Sequence, residues 1–190
     1  MRGGREAILN AAIEVFARQG YAGSSIRAIC QAAGVTKPVL YYYFRSKEHL
    51  YQELMIDCFS LSLKTLLRAS KSAGSLRQRL VRIVWDEFRS VKKAPTRAQF
   101  LLRMIFSPEG RRPYFDYIQE SERQRQTIAG VIQEGIDAGK IRGNAGLLAT
   151  ALMGMDLMAI LESILVGRAT LTLRAAERNV DLLLNGCTVA

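Results

Sequence analysis

Apolar residues recur every three or four positions along nearly the whole chain, and no alternating stretch is long enough for a strand. This pattern predicts an all-α fold of about nine helices. The first spans about Arg5 to Gln19, with Ile8, Leu9, Ala12, Ile13 and Phe16 on one face and Gly20 as its stop. A short second helix follows Ser24 or Ser25 as cap, turns Ile26, Ile29, Cys30 and Ala33 inward, and breaks at Gly34-Val35. The third starts from Thr36 as N-cap and carries Val39-Leu40-Tyr41-Tyr42-Tyr43-Phe44. Pro38 is tolerated there because a first-turn amide has no intrahelical partner. Ser46 caps a long fourth helix from Lys47 towards Ser70.

After Gly74-Ser75, a fifth helix sets Leu76, Leu80, Ile83, Val84, Phe88 and Val91 on one face. Pro95 opens a sixth, ending near Ser107-Pro108, and a seventh runs from about Arg111 to Ala138, before Gly139. Asn144 caps a very apolar eighth helix reaching Leu165, and a ninth lies between Thr172 and Asn185. The expected organisation is two blocks, 1–50 and 51–190, joined by one continuous helix.

Composition narrows the chemistry. The 190 residues carry 27 Lys and Arg against 17 Asp and Glu, a net charge of +10, which points to an anionic partner. Twenty of the basic residues are Arg, beside many Ala and Gly, so a GC-rich coding bias is the competing explanation. The single His49 rules out a His-rich zinc site, and Cys30, Cys58 and Cys187, odd in number and without a CxxC, indicate neither a disulfide framework nor a metal site. No cofactor or metal is expected. Met1 to Glu6 lead into an amphipathic helix without an apolar signal core, and the uncharged stretch Gly143 to Met155 is too short to span a bilayer. A cytoplasmic protein without a membrane partner is expected.

Residues 25–44 form a short helix, a glycine turn and a second short helix, the helix-turn-helix pattern whose second helix enters the DNA major groove. Leu40 and Phe44, one turn apart, pin the third helix to the core while Pro38, Tyr41 and Tyr42 turn away from that seam. Tyr phenols bond phosphate oxygens and their rings pack on sugars or thymine methyls. Lys37, Arg45 and Lys47 ring this face with positive charge, and the free amides after Thr36 and Ser46 are phosphate seats.

The tracts Ser24-Ser25-Ile26-Arg27-Ala28-Ile29, Ala33-Gly34-Val35-Thr36-Lys37-Pro38-Val39-Leu40-Tyr41-Tyr42-Tyr43-Phe44 and Ser46-Lys47-Glu48-His49-Leu50 resemble the DNA-binding domain of the TetR family of repressors. Ile8 to Tyr21 resembles that family's first helix, and Ile132 to Ile141 a pattern before its eighth. Cys30 departs from the family's usual Ala. The resemblance implies that Lys37, Pro38 and Tyr41 meet base edges or sugars, and that Ser25, Thr36, Tyr43 and Lys47 hold phosphates. Arg27 is a further base reader, since Arg pairs with guanine in two hydrogen bonds. Arg45 joins on charge and location. Tyr43 packing in the core, Tyr42 as a non-contacting neighbour, and Arg45 and Lys47 as a solvated turn stand as alternatives.

The same resemblance implies a ligand-binding and dimerisation domain over 51–190, an unidentified small-molecule inducer, a homodimer built by the last two helices, and double-stranded operator DNA as partner. The dimer has independent grounds. Leu147, Leu148, Ala151, Leu152, Met155, Met158, Ala159 and Ile164 cover most azimuths of the eighth helix, which must be buried on more than one side. Trp85, Phe88, Phe100, Met104, Tyr117 and Met155 are candidates for an apolar ligand cavity, with plain core as the alternative. Asp156 and Glu162 are read as pairing with Arg across the dimer rather than as ligand anchors. The acidic cluster Asp116, Glu120 and Glu122 lies among Arg111, Arg112, Arg123 and Arg125 and reads as a solvated face, so no enzyme is expected. The expected function is a ligand-responsive DNA-binding transcriptional regulator, a repressor released from a palindromic operator by its inducer. The alternatives are an activator or an architectural DNA binder with no ligand.

Overall fold

A computed structural model describes residues 2–107 and 112–186. Cys187 and Arg111 lie outside the described residues. Among the described residues nine α-helices follow in order: α1 (Arg2–Gly23), α2 (Ile26–Ala33), α3 (Lys37–Tyr43), α4 (Lys47–Ser70), α5 (Leu76–Lys93), α6 (Pro95–Ile105), α7 (Tyr117–Asp137), α8 (Ala145–Leu161) and α9 (Leu173–Asn185). A π-helical turn, Glu162–Val166, continues α8. Among the described residues there is no strand, and the all-α expectation holds.

The side-chain caps expected at Ser25, Ser46 and Asn144 are in place, whereas Thr36 caps α3 through its backbone alone. Ser25 Oγ accepts from the Ala28 amide, Ser46 Oγ from His49, Asn144 Oδ1 from Leu147 and Thr172 Oγ1 from Ala175. The expected start of the seventh helix at Arg111 is corrected to Tyr117. Pro113 has no N–H to give and drives Arg112 out of helical backbone, so the helix waits four residues. Gly20 stops the first run of helical backbone with a φ of 72 and a ψ of 172, and a further short helical turn follows it to Gly23.

The chain packs as two units, Met1–Ser60 with Ala94–Tyr117, and Leu61–Lys93 with Ile118–Ala190. In the first, Ile8, Ala12 and Phe16 of α1 are fully buried with Leu40, Leu50 and Phe100. Phe16 stacks on Phe100 at 6.0 Å between ring centres and meets Tyr51 edge-on. This corrects two cavity candidates: Phe100 and Met104 are core partners of α1 and α4. Packing therefore groups α6 with the head helices, a division that sequence continuity did not show.

In the second unit, α5, α8 and α9 pack on one another around Leu80, Val84, Phe88, Leu152, Ala176 and Val180. Asp156 is buried among them and accepts a 3.2 Å hydrogen bond from Asn179 Nδ2. That position corrects the expectation of an Arg partner across a dimer, because the carboxylate faces its own α9. Glu162 pairs with Arg168 of the same chain at 3.5 Å. Ala145–Val166 is long and apolar enough to cross a membrane by length and composition, since Asp156 and Glu162 end the uncharged stretch without ending the helical run. One face of it, Ala149, Leu152, Asp156 and Ile160, is buried within the unit; Leu147, Leu157, Met158, Leu165 and Val166 remain exposed.

Candidate nucleic-acid interface

Gly34 makes the turn between α2 and α3. Its φ of 64° and ψ of 31° lie in the left-handed region, and its N–H reaches the carbonyls of Cys30 and Gln31. The second helix is anchored by Ile29 and Cys30, so the departure at Cys30 is met by burial. Leu40 at 0% exposure and Phe44 at 1% anchor α3, which leaves Lys37, Pro38, Val39, Tyr41 and Tyr42 facing outward. Tyr42 is the most open of these at 75% and stands edge-on to Tyr43. Val39 was missed from sequence, because a Val inside an apolar run reads as core.

The candidate residues divide by what their polar atoms already do. Arg27, Lys37 and Arg45 are exposed and join no ion pair among the described residues. Thr36 caps α3 through its backbone, and its hydroxyl makes no capping bond, so that group is open to a phosphate oxygen. The Ser25 oxygen accepts from Ala28 and keeps its O–H as a donor. Tyr43 is half-buried, packed against the core and close to Gly4. Arg5 lies over the Phe44 ring and reaches Glu53 at 2.6 Å, holding α1 against the end of α3 and the start of α4.

Lys47 needs correction. Its ammonium donates to the Tyr21 and Ser24 carbonyls at 2.8 and 2.9 Å and sits 4.2 Å from the centre of the Tyr21 ring. Burial lowers its pKa. Two of three N–H donors are committed to the α1–α2 junction, so Lys47 is first a clamp between helices. Its spacing looked like a phosphate ligand because a Lys at a helix start is also where DNA contacts are made.

Six residues were candidates for a ligand cavity, and the structure does not gather them. Trp85, Phe88 and Met155 belong to the second unit, Phe100 and Met104 to the first, and Tyr117 packs against the first unit's core with Arg112 over its ring.

A bihelical motif with an anchored second helix, an exposed aromatic and basic face, and open donors at its start defines a helix-turn-helix DNA-binding protein. Residues 8–54 match the family model for bacterial regulatory proteins of the tetR family. The chain is 24% identical to the HTH-type transcriptional repressor KstR2 of Mycolicibacterium smegmatis over 143 residues, covering 73% of this chain and 67% of that protein. Over 53 residues it is 40% identical to the HTH-type transcriptional regulator UidR of Escherichia coli, which covers 28% of this chain and 27% of UidR. The structure of FadR from Bacillus subtilis, solved with stearoyl-CoA, superposes with a TM-score of 0.79 at 19% identity, covering 95% of this chain and 98% of that one. Residues 8–54 carry a DNA-binding domain of the tetR family of bacterial regulatory proteins, and the chain is a DNA-binding transcriptional regulator.

Proposed function

We propose that this regulator is a homodimeric repressor that reads a palindromic operator with α3 and releases it when a small molecule binds the helical domain. Residues 1–50 form the DNA-reading head in this account, and residues 51–190 the ligand-binding and dimerisation domain. The observation that carries the reading is the exposed face of Lys37, Pro38, Tyr41 and Tyr42 on a helix locked by Leu40 and Phe44. A monomer gains nothing from exposing those rings, whereas a major groove offers them sugars, methyls and phosphates. The dimer is supported by the exposed apolar side of α8, Leu147, Leu157, Met158 and Leu165, beside Leu182 of α9. Two copies place two α3 helices on half-sites about 34–36 Å apart or a multiple of that.

Trp85 and Met155 are the half-buried apolar residues left as ligand candidates in the second unit, while Phe88 is fully buried in its core. KstR2 is named a repressor, and FadR was solved with stearoyl-CoA, which makes acyl thioesters the first ligands to test. A non-enzymatic reading is supported by the acidic cluster of α7. Glu122 is held by Arg125 and Gln126 with its pKa lowered to about 2, and Glu120 pairs with Arg123, which suits neither for proton transfer at neutral pH. As a regulator of operator DNA, the protein acts in the cytoplasm.

The experiment is selection of bound duplexes from a random pool by the full chain, followed by mobility shift with an acyl-CoA series. Enrichment of an inverted repeat, and its release by one member of the series, is expected. Enrichment of no sequence would contradict the regulator, and a repeat released by no small molecule would favour the architectural alternative.

A further inference from the structure

We propose that the α4–α5 face of the second unit is a binding site for a phosphate-bearing small anion, held by Arg68, Arg82 and Arg89. Residues 61–93 carry nine Lys and Arg against only Asp86 and Glu87. Most arginines of this unit with an acidic partner are matched one to one. Arg77 makes a two-bond pair with Asp181 at 2.6 and 2.8 Å, Arg125 pairs with Glu122 through two bonds, and Arg79 pairs with Glu134 while also holding the Ser70 carbonyl.

Asp86 is different. Its side chain is 9% exposed and lies under three guanidinium groups, Arg68 of α4 at 3.8 Å, Arg82 at 3.9 Å and Arg89 at 3.6 Å. One carboxylate offsets one of three positive charges, so the cluster keeps two. The contacts are too long for hydrogen bonds, which leaves the fork-shaped N–H donors of all three arginines unspent. Those arginines are 76, 62 and 65% exposed, so the donors face solvent while the carboxylate beneath holds their stems together.

Three guanidinium groups drawn to one buried carboxylate leave a net positive field that a second anion would balance. Guanidinium forks match the tetrahedral oxygens of phosphate in two-bond geometry, and a di- or triphosphate group supplies enough charge to balance the cluster. Lys64, one turn before Arg68 on α4, and Lys92 and Lys93, after Arg89 on α5, extend the positive field along the same two helices.

The test is calorimetric titration of inorganic pyrophosphate into the full-length protein at constant ionic strength, without DNA. Wild-type protein should bind saturably, and R82Q/R89Q should weaken binding at least tenfold. R142Q, an exposed arginine outside the cluster, should leave it unchanged. Because the substituted side chains are mostly in solvent, thermal unfolding should report an intact fold, and R68Q alone should give a smaller loss in the same direction. Equal affinity in the double variant and the wild type, or heat that never saturates, would overturn the proposal. A mobility shift on the same proteins separates this site from the head: operator affinity is expected to stay within twofold in R82Q/R89Q. A large loss there without a loss of pyrophosphate binding would assign the cluster to DNA phosphates instead. Pyrophosphate binding needs no operator, so failure of the DNA reading is scored independently.

Discussion

The proposed DNA-reading face is set by which side chains the seven-residue α3 buries. Leu40 has no exposure and Phe44 almost none, so α3 has a single seating and Tyr41 is fixed on the outside. Leu40→Ala should cost about 2–5 kcal/mol, the range for emptying a well-packed leucine site, and chemical denaturation measures it directly. Asp156 makes a prediction about pH. Burial among α5, α8 and α9, with Glu87 close by, raises its pKa to about 8, only partly countered by Asn179. Burial likewise pushes Glu87 up. In the unfolded chain a carboxyl titrates near 4, so between about pH 4 and 8 the folded state holds a proton that the unfolded state has lost. The contribution of Asp156 is therefore greatest below about pH 4 and is lost as pH rises to about 8, by up to about 1.4 kcal/mol per pH unit while one proton separates the states, and it levels off above that. Urea unfolding between pH 5 and 9 should show this slope, and Asp156→Asn should flatten it. A wild-type slope that survives in Asp156→Asn would place the titration elsewhere.

At the level of elements, the helices and their caps were legible because capping and turn chemistry are local. Ser25, Asn144 and Thr172 each accept the amide that their positions predict, and Gly34 takes the left-handed turn. Gly34→Ala should lower stability by roughly 1–2 kcal/mol, the cost of a side chain in left-handed backbone, and weaken DNA binding by misplacing α3. What stayed hidden was non-local. Periodicity shows that Phe100 and Met104 are buried but not that α1 is what buries them. Lys47 reads as a free cation until the Tyr21 and Ser24 carbonyls arrive from another helix. Asp86 looks like one more surface acid on a basic helix, and only the approach of Arg68 from α4 makes it the buried centre of a cluster.

For the whole molecule, the +10 charge is not what identifies the DNA-reading surface. Residues 1–50 hold seven basic residues against three acidic ones, while 61–93 hold nine against two, so the densest positive charge falls outside residues 1–50 in the sequence. In the proposed homodimer the apolar side of α8 sets the assembly. Leu147 is 69% exposed and Leu182 of α9 66%, so charges placed there spare the subunit fold and load only the interface. Light scattering should give a dimer for the wild type and a monomer for Leu147→Glu/Leu182→Glu, with operator binding lost because one head spans one half-site. An unchanged dimer would move the interface off α8 and α9. The measurement closest to the central claim is the affinity of Tyr41→Ala and Lys37→Ala for the selected duplex. Both residues are exposed, so both variants should fold and dimerise as the wild type does, and each should lose at least tenfold in operator affinity, with Tyr41→Ala losing discrimination against scrambled sequence. Wild-type affinity and discrimination in both variants would contradict the assignment of α3 as the reading helix.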